Sequence, residues 1–136
     1  MTSRFWADLV RPAGRNDRVR FWMVVGLILA AFLVCGVLVD AAEATMGAAI
    51  PALFLTLAAM VVGTINAVRR LHDLGRSGWW TLAPLAVFVG AGVVAVAVGT
   101  SPLAFVVAGA GLLVTGGALI MLGSVPGQPG PNRYGA

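Results

Sequence analysis

Residues 21–39 read FWMVVGLILAAFLVCGVLV, a run of 19 residues in which no side chain carries a charge. At about 1.5 Å of rise per residue, a helix of this length nearly crosses the roughly 30 Å hydrocarbon core of a bilayer. Similar apolar stretches follow at about residues 46–68, 79–98 and 103–123. With 60% hydrophobic and 10% charged residues, the chain is too apolar for a soluble domain. The sequence therefore predicts an all-α membrane protein, a four-transmembrane-helix bundle that occupies residues 1–136 as a single domain.

The cationic residues lie on one side of these four stretches. All of them are arginines: Arg4, Arg11, Arg15, Arg18, Arg20, Arg69, Arg70, Arg76 and Arg133. The loops on the other side contain Asp40 and Glu43 but no cation. Because basic residues next to a span resist translocation, this pattern predicts that both termini face the cytoplasm. Cations held at membrane ends favour anionic lipid headgroups as partners, and they argue against nucleic acid.

The segments outside the spans have their own signals. Residues 3–11 place apolar side chains on one helical face, which predicts a short interfacial helix. The run at 21–39 is longer than the core of a signal peptide, so we expect a span there and no cleavage. Gly75 is expected to end the second helix, and Ser77 and Ser101 are expected to cap the next two. The tail, residues 125–136, contains three prolines and three glycines and is predicted to be non-helical.

Small residues recur along the spans at helical spacing. Gly109, Gly116 and Gly123 are seven residues apart, and Ala59 and Gly63 are four apart. In lipid, such stripes allow helix backbones to approach closely. We expect these stripes to mark contacts within one chain, although a homo-oligomer could use them as well. The lone Cys35 lies in an apolar run and is interpreted as a small hydrophobic side chain.

A polar cluster is predicted where the second span ends. Asn66, Arg70 and Asp73 share one helical face at i, i+4 and i+7, and either Arg69 or Arg70 can reach Asp73. Asn66 is expected to point into the bundle, where polar groups need partners, and the candidate partners are Arg76, Ser77, Asn132, Arg133 and Tyr134. The full predicted cluster consists of Asn66, Arg69, Arg70, His72, Asp73, Arg76, Ser77, Trp79, Asn132, Arg133 and Tyr134, with Arg15, Arg18 and Trp22 as further contributors. It is interpreted either as a structural clasp closed by the tail or as a site for an anionic lipid headgroup that uses Arg69, Arg70 and Arg76.

Several short motifs resemble those of one bacterial inner-membrane family. They are RRLHD at 69–73, RSGWW at 76–80, Gly14-Arg15 with Arg18 and Phe21-Trp22, and Pro129-Gly130 with NRYG at 132–135. The family is catalogued as domain of unknown function 805. The resemblance covers nearly the whole chain and implies a helical bundle in the bacterial inner (plasma) membrane. It implies no established activity.

Three classes of function are compatible with this sequence to different degrees. Adjacent helical residues point about 100° apart, so His72 and Asp73 cannot form a simple catalytic dyad, and we expect no enzyme, cofactor or metal centre. An enzyme acting on a lipid headgroup is the weaker alternative. A transporter needs polar or charged groups at mid-membrane. The spans offer only Cys35, Thr56, Thr64 and Thr115 there, and none of these side chains is a carboxylate or a cation, so a transporter is less well supported. We therefore expect a structural, accessory or binding protein, with anionic-lipid binding or a subunit of an oligomeric small-solute transporter as alternatives. A protein partner is a further alternative.

Overall fold

The computed structural model describes residues 14–41 and 46–135, and four long helices dominate them. The helices are α1 (Arg18–Ala41), α2 (Met46–Asp73), α3 (Leu82–Ala97) and α4 (Pro102–Ser124), and a short 3-10 helix (Gly78–Thr81) leads into α3. All four helical stretches, the third one together with the 3-10 helix, are long and apolar enough to cross a membrane. The prediction of four potential spans is thereby confirmed. The predicted interfacial helix at 3–11 lies outside the described residues.

The helix boundaries differ from the predicted spans by a few residues. Helix α1 begins at Arg18, three residues before the predicted start of the first span. The reason is that the Asp17 carboxylate accepts a hydrogen bond from the Arg20 N–H at 2.7 Å and thereby caps the helix. Helix α2 has 28 residues, which gives a length of about 42 Å. This exceeds the roughly 30 Å thickness of a bilayer hydrocarbon core. The third stretch starts as a 3-10 helix and becomes α-helical at Leu82.

The turn after α2 has the predicted glycine and serine caps. Gly75 adopts a φ of +69°, and its N–H donates to the carbonyl of His72 at 3.0 Å. The Arg76 N–H donates to the carbonyl of Leu71 at 2.8 Å, which completes a Schellman motif. Ser77 then accepts a hydrogen bond from the backbone of the 3-10 helix. The chain thus leaves α2 and enters the next span within a few residues.

The four helices pack as two antiparallel hairpins, α1 with α2 and α3 with α4, and α4 touches both helices of the first hairpin. Gly111 is the close-contact position between α3 and α4, since a Cβ there would lie 2.6 Å from the Cβ of Ala91. A Cβ at Gly109 or Gly116 would have no other atom within 4 Å, so the expected role of these two glycines in contacts within the chain is wrong. The contact face of α4 is offset from this glycine stripe.

The best-buried large side chains are Phe21 and Arg70, both near the end of the bundle at which α1 begins and α2 and α4 end. This end also carries every arginine of the described residues, and we call it the arginine end. Large apolar side chains along the helices remain exposed, for example Val96, Phe105 and Leu113. Such a surface is compatible with hydrocarbon around the helices and with a multi-pass membrane protein.

Candidate functional site

Arg70 occupies the centre of the arginine end. Its residue surface is 0% exposed. Its Nε donates to the carbonyl of Leu122 at 2.9 Å, Nη1 donates to the carbonyl of Asn16 at 3.1 Å, and Nη2 donates to the carbonyl of Val125. The rigid fork of a guanidinium group suits such divergent acceptors. One side chain of α2 therefore ties the segment before α1 to the end of α4.

Asp73 supplies the counter-charge for this buried cation. Its carboxylate pairs with Nη1 of Arg70 one helical turn earlier, and its other oxygen accepts from Nε of Arg15 at 2.9 Å. The predicted pairing of Asp73 with an α2 arginine is thus present, and Arg15 is a second cation on the same carboxylate. Gly127 passes so close to this carboxylate that a Cβ at that position would overlap it. The two charge pairs are closed over by the tail.

The tail folds back across the end of α2 as a non-helical segment, residues 125–135, which we call the strap. The Gln128 N–H donates to the carbonyl of Asp73 at 2.9 Å. Arg15 reaches over the strap and donates to the carbonyls of Gln128 and Gly130. Through Arg15, the segment before α1 therefore binds the strap and Asp73 at the same time.

His72 and Tyr134 form the outer part of this assembly. Their rings are stacked with centroids 3.9 Å apart and planes inclined by 6°. The His72 Nδ1 lies 3.3 Å from the carbonyl oxygen of Gly14, and Asn132 Nδ2 donates to the His72 carbonyl at 2.9 Å. These contacts place the histidine between the N-terminal segment and the strap, where it holds the two together.

Asn66 points into the bundle, as expected, but its partners differ from those predicted. Its Nδ2 donates to the carbonyl of Phe21 at 3.1 Å, and its Oδ1 accepts from Nδ2 of Asn16. The sequence suggests as its partners Arg76, Ser77, Asn132, Arg133 and Tyr134, and that prediction is wrong. Asn66 lies two helical turns before the end of α2, at the level where α1 begins, so the strap does not supply its hydrogen bonds.

Trp22 and Arg18 connect α1 to the end of α4. The indole N–H of Trp22 donates to the carbonyl of Gly123 at 3.3 Å, and a Cβ at Gly123 would overlap the indole ring. Arg18 Nη1 donates to the carbonyl of Ser124 at 3.5 Å. The glycine at 123 is therefore required by the close approach of a tryptophan, and it is the one member of the predicted α4 stripe that makes a contact within the described part of the chain.

Some predicted members lie at the edge of the cluster or beyond it. Arg76 and Trp79 are exposed, and Ser77 serves as the cap of the 3-10 helix. Arg133 is exposed too, with Nη2 3.4 Å from the Gly75 carbonyl. Arg69 is buried next to the cluster, and its carbonyl accepts from the Asn16 N–H at 3.2 Å. The predicted residues thus divide into an interior set around Arg70 and an exposed set near the 3-10 helix.

An open cleft of about 430 Å³ lies beside the interior set. Its described lining consists of Arg15, Asn16, Asp17, Arg20, Asp73, Gly130 and Pro131. The two carboxylates of this lining offset its two guanidinium groups, and Arg15 is already bound to Asp73 and the strap. The described lining of the cleft therefore carries no excess charge that would select an anion. Among residues 14–41 and 46–135, no group of three or more histidine, cysteine, aspartate or glutamate side chains could hold a metal ion.

Sequence reasoning missed Asn16, Gln128 and Gly127. Each contacts the cluster through a loop, and loop contacts have no periodic signature that a single sequence could reveal. For Asn16 one signal was present in the sequence: it is a polar amide that directly follows Arg15 and stands just before a span. This position could have indicated that Asn16 belongs to the cluster. Gln128 contributes mainly its backbone, which is invisible to any argument from side-chain type.

No curated protein and no solved structure matches this chain significantly. A family model, in contrast, matches residues 9–136. This range includes the segment before α1, all four helices and the strap, so it contains every described residue of the polar assembly. Since the match covers nearly the whole chain, the protein belongs to the family described as Protein of unknown function (DUF805).

Proposed function

We propose that this is a small multi-pass protein of the bacterial inner membrane with a structural or accessory binding role. In this proposal the interior polar residues form a clasp, defined as Arg15, Asn16, Asn66, Arg70, His72, Asp73 and Tyr134 together with the strap. The clasp closes the cytoplasmic end of the bundle. Its purpose is to hold the N-terminal segment, α2, α4 and the strap in one arrangement, and to present the outer surface of that end to partners.

The burial of Arg70 is the observation that carries this proposal. A cation offered to a ligand keeps donors directed at solvent, whereas Arg70 is fully buried and directs Nε, Nη1 and Nη2 at protein oxygens. Burying a cation costs several kcal/mol unless it is paired and hydrogen-bonded. Asp73 and three carbonyl groups offset that cost here. This argues for a structural role of Arg70 over a role in lipid binding.

Truncation of the strap tests the clasp directly. Removing residues 125–136 removes the Val125 and Gln128 carbonyls, and we expect hydrogen–deuterium exchange of the backbone amides at 71–76 to become faster in detergent. A chain truncated after Gly135 keeps the strap and serves as the control. Equal exchange of the two truncated proteins would refute the clasp, because the end of α2 would then be independent of the strap.

The orientation is tested by cysteine labelling. In a Cys35→Ser background, Thr100→Cys lies in the turn between α3 and α4, and Pro129→Cys lies in the strap. A membrane-impermeant maleimide should label Thr100→Cys in intact cells, and it should label Pro129→Cys only after permeabilisation. The opposite pattern would show that the arginine end faces away from the cytoplasm.

Catalysis and transport are less well supported by the geometry. His72 is stacked on Tyr134 and directs Nδ1 at a backbone carbonyl, so it serves structural contacts. The hydroxyls of Thr56 and Thr64 donate to carbonyls of their own helix at 2.8 Å. Thr115 instead donates to the Pro84 carbonyl of the neighbouring helix at 3.4 Å. Hydroxyls engaged in this way do not line a polar path.

A further inference from the structure

The outer surface of the arginine end carries a second group of arginines with exposed tryptophans. Arg76, Arg133, Trp79 and Trp80 form this group, which we call the Arg–Trp patch. Trp79 is 77% exposed and Trp80 is 64% exposed, and both arginines are exposed as well. Neither tryptophan is packed into the core, so these large side chains are available to something outside the described residues.

Both carboxylates that the described residues place at the arginine end have partners outside the Arg–Trp patch. Asp73 is bound to Arg15 and Arg70, and Asp17 caps α1. Within the described part of the chain, neither Arg76 nor Arg133 forms an ion pair. The patch therefore presents positive charge to its surroundings, which complements an anionic partner.

Contacts within the clasp position one of these two arginines. The Arg133 guanidinium carbon lies 4.8 Å from the centroid of the Tyr134 ring, and Tyr134 is in turn stacked on His72. Arg133 Nη2 also lies 3.4 Å from the Gly75 carbonyl, directly before Arg76 in the chain. The stack thus brings Arg133 to the turn that bears Arg76, so that two cations lie at one turn.

The tryptophans set the depth at which this turn lies. The third apolar stretch, Gly78–Ala97, begins at the 3-10 helix that bears Trp79 and Trp80. Indole rings have an apolar body and a polar N–H, and they concentrate where hydrocarbon meets headgroups. Arginines one turn away are therefore held at the level of lipid phosphates. A soluble anion would leave both indole rings without a partner, and the position of Trp79 and Trp80 at the start of a span favours lipid over a protein partner.

We infer that the Arg–Trp patch binds the headgroups of anionic phospholipids. The inference rests on the proposed membrane location and moves the lipid site from Arg69 and Arg70 to the exposed surface around Arg76 and Arg133. The clasp and the lipid surface are then separate: Arg70 maintains the fold, and the patch binds the bilayer. A basic residue near an anionic surface contributes enough to change affinity by about fivefold.

Native mass spectrometry of the full chain in detergent tests this assignment, with phosphatidylglycerol and phosphatidylcholine titrated separately. The wild type should bind phosphatidylglycerol in preference to phosphatidylcholine. Arg76→Gln and Arg133→Gln should each lower that affinity about fivefold. Arg18→Gln is the matched control. It removes the same charge from an exposed side chain, but this side chain contacts the end of α4 and does not belong to the Arg–Trp patch.

Two outcomes would overturn the inference. One is equal binding of the two lipids by the wild type. The other is an equal loss of affinity in Arg18→Gln and Arg76→Gln, which would indicate a general effect of net charge. The Arg76 variant should keep the wild-type unfolding curve, because its side chain forms no hydrogen bond or ion pair within the described residues. Failure of the lipid inference is thereby distinguishable from failure of the clasp.

Discussion

Replacement of Asp73 by alanine is the most direct perturbation of the clasp. It removes the carboxylate that Arg70 and Arg15 share, and it leaves the three carbonyl acceptors of Arg70 in place. The backbone hydrogen bond from Gln128 to residue 73 does not depend on the side chain. The variant therefore tests the charge pairing itself, with little direct change to the other hydrogen bonds of the clasp.

The expected loss follows from the burial of the two cations. Deleting one partner of a buried ion pair costs about 3–5 kcal/mol, because the remaining charge stays buried without compensation. Arg70 keeps its three neutral carbonyl acceptors, so its contribution to the loss of unfolding free energy lies near the lower end of this range, at about 3 kcal/mol. The Arg15 side chain is 13% exposed and keeps two strap carbonyls, so its share is at most about 1 kcal/mol. The total is about 3–4 kcal/mol of unfolding free energy.

Unfolding by titration with sodium dodecyl sulfate, followed by tryptophan fluorescence, measures this loss. Asp17→Ala is the matched control, since it also removes one carboxylate from the arginine end. Its side chain is exposed and caps α1, so we expect a loss of about 1 kcal/mol. A loss for Asp73→Ala no larger than that of Asp17→Ala would refute the reasoning, because Arg70 would then not need its counter-charge.

Two further substitutions examine single contacts of the same end. Gly123→Ala should lower the free energy of unfolding by about 1–3 kcal/mol, because its Cβ would overlap the Trp22 indole. Gly116→Ala is the control, since its Cβ has open space and should be tolerated. Unfolding in detergent compares the two variants, and equal stability would contradict the close approach of Trp22 to Gly123. Tyr134→Ala should release the strap by removing the stack on His72, and Tyr134→Phe should retain it. Limited proteolysis of the strap distinguishes these variants, and equal cleavage rates would count against the stack.

The local features of the fold could be predicted because each has a local cause. A long apolar run predicts a potential span, a glycine that can adopt positive φ predicts the end of α2, and Ser101 before Pro102 predicts the start of α4. The pairing of Arg70 with Asp73 is local as well, since the two residues are three apart on one helix. These features depend on neighbours in sequence, and one chain suffices to infer them.

The partners across the chain could not be predicted in the same way. Asn66 binds Asn16, some fifty residues away, and Arg15 selects backbone carbonyls of the strap whose positions depend on the whole assembly. The predicted contact face of α4 is wrong at Gly109 and Gly116 for a related reason. Gly109 and Gly116 are as small as Gly111, and only the placement of α3 decides which glycine meets a neighbour.

The bonding of Arg70 has a consequence for the order of events during synthesis. Its carbonyl partners lie 54 residues earlier, at Asn16, and 52 and 55 residues later, at Leu122 and Val125. The later two do not exist when α2 leaves the ribosome. Asp73, three residues on, is available at once. In the proposed membrane location, the second helix can therefore enter the bilayer with its cation already paired, and the last carbonyls complete the site only after the fourth helix has been made.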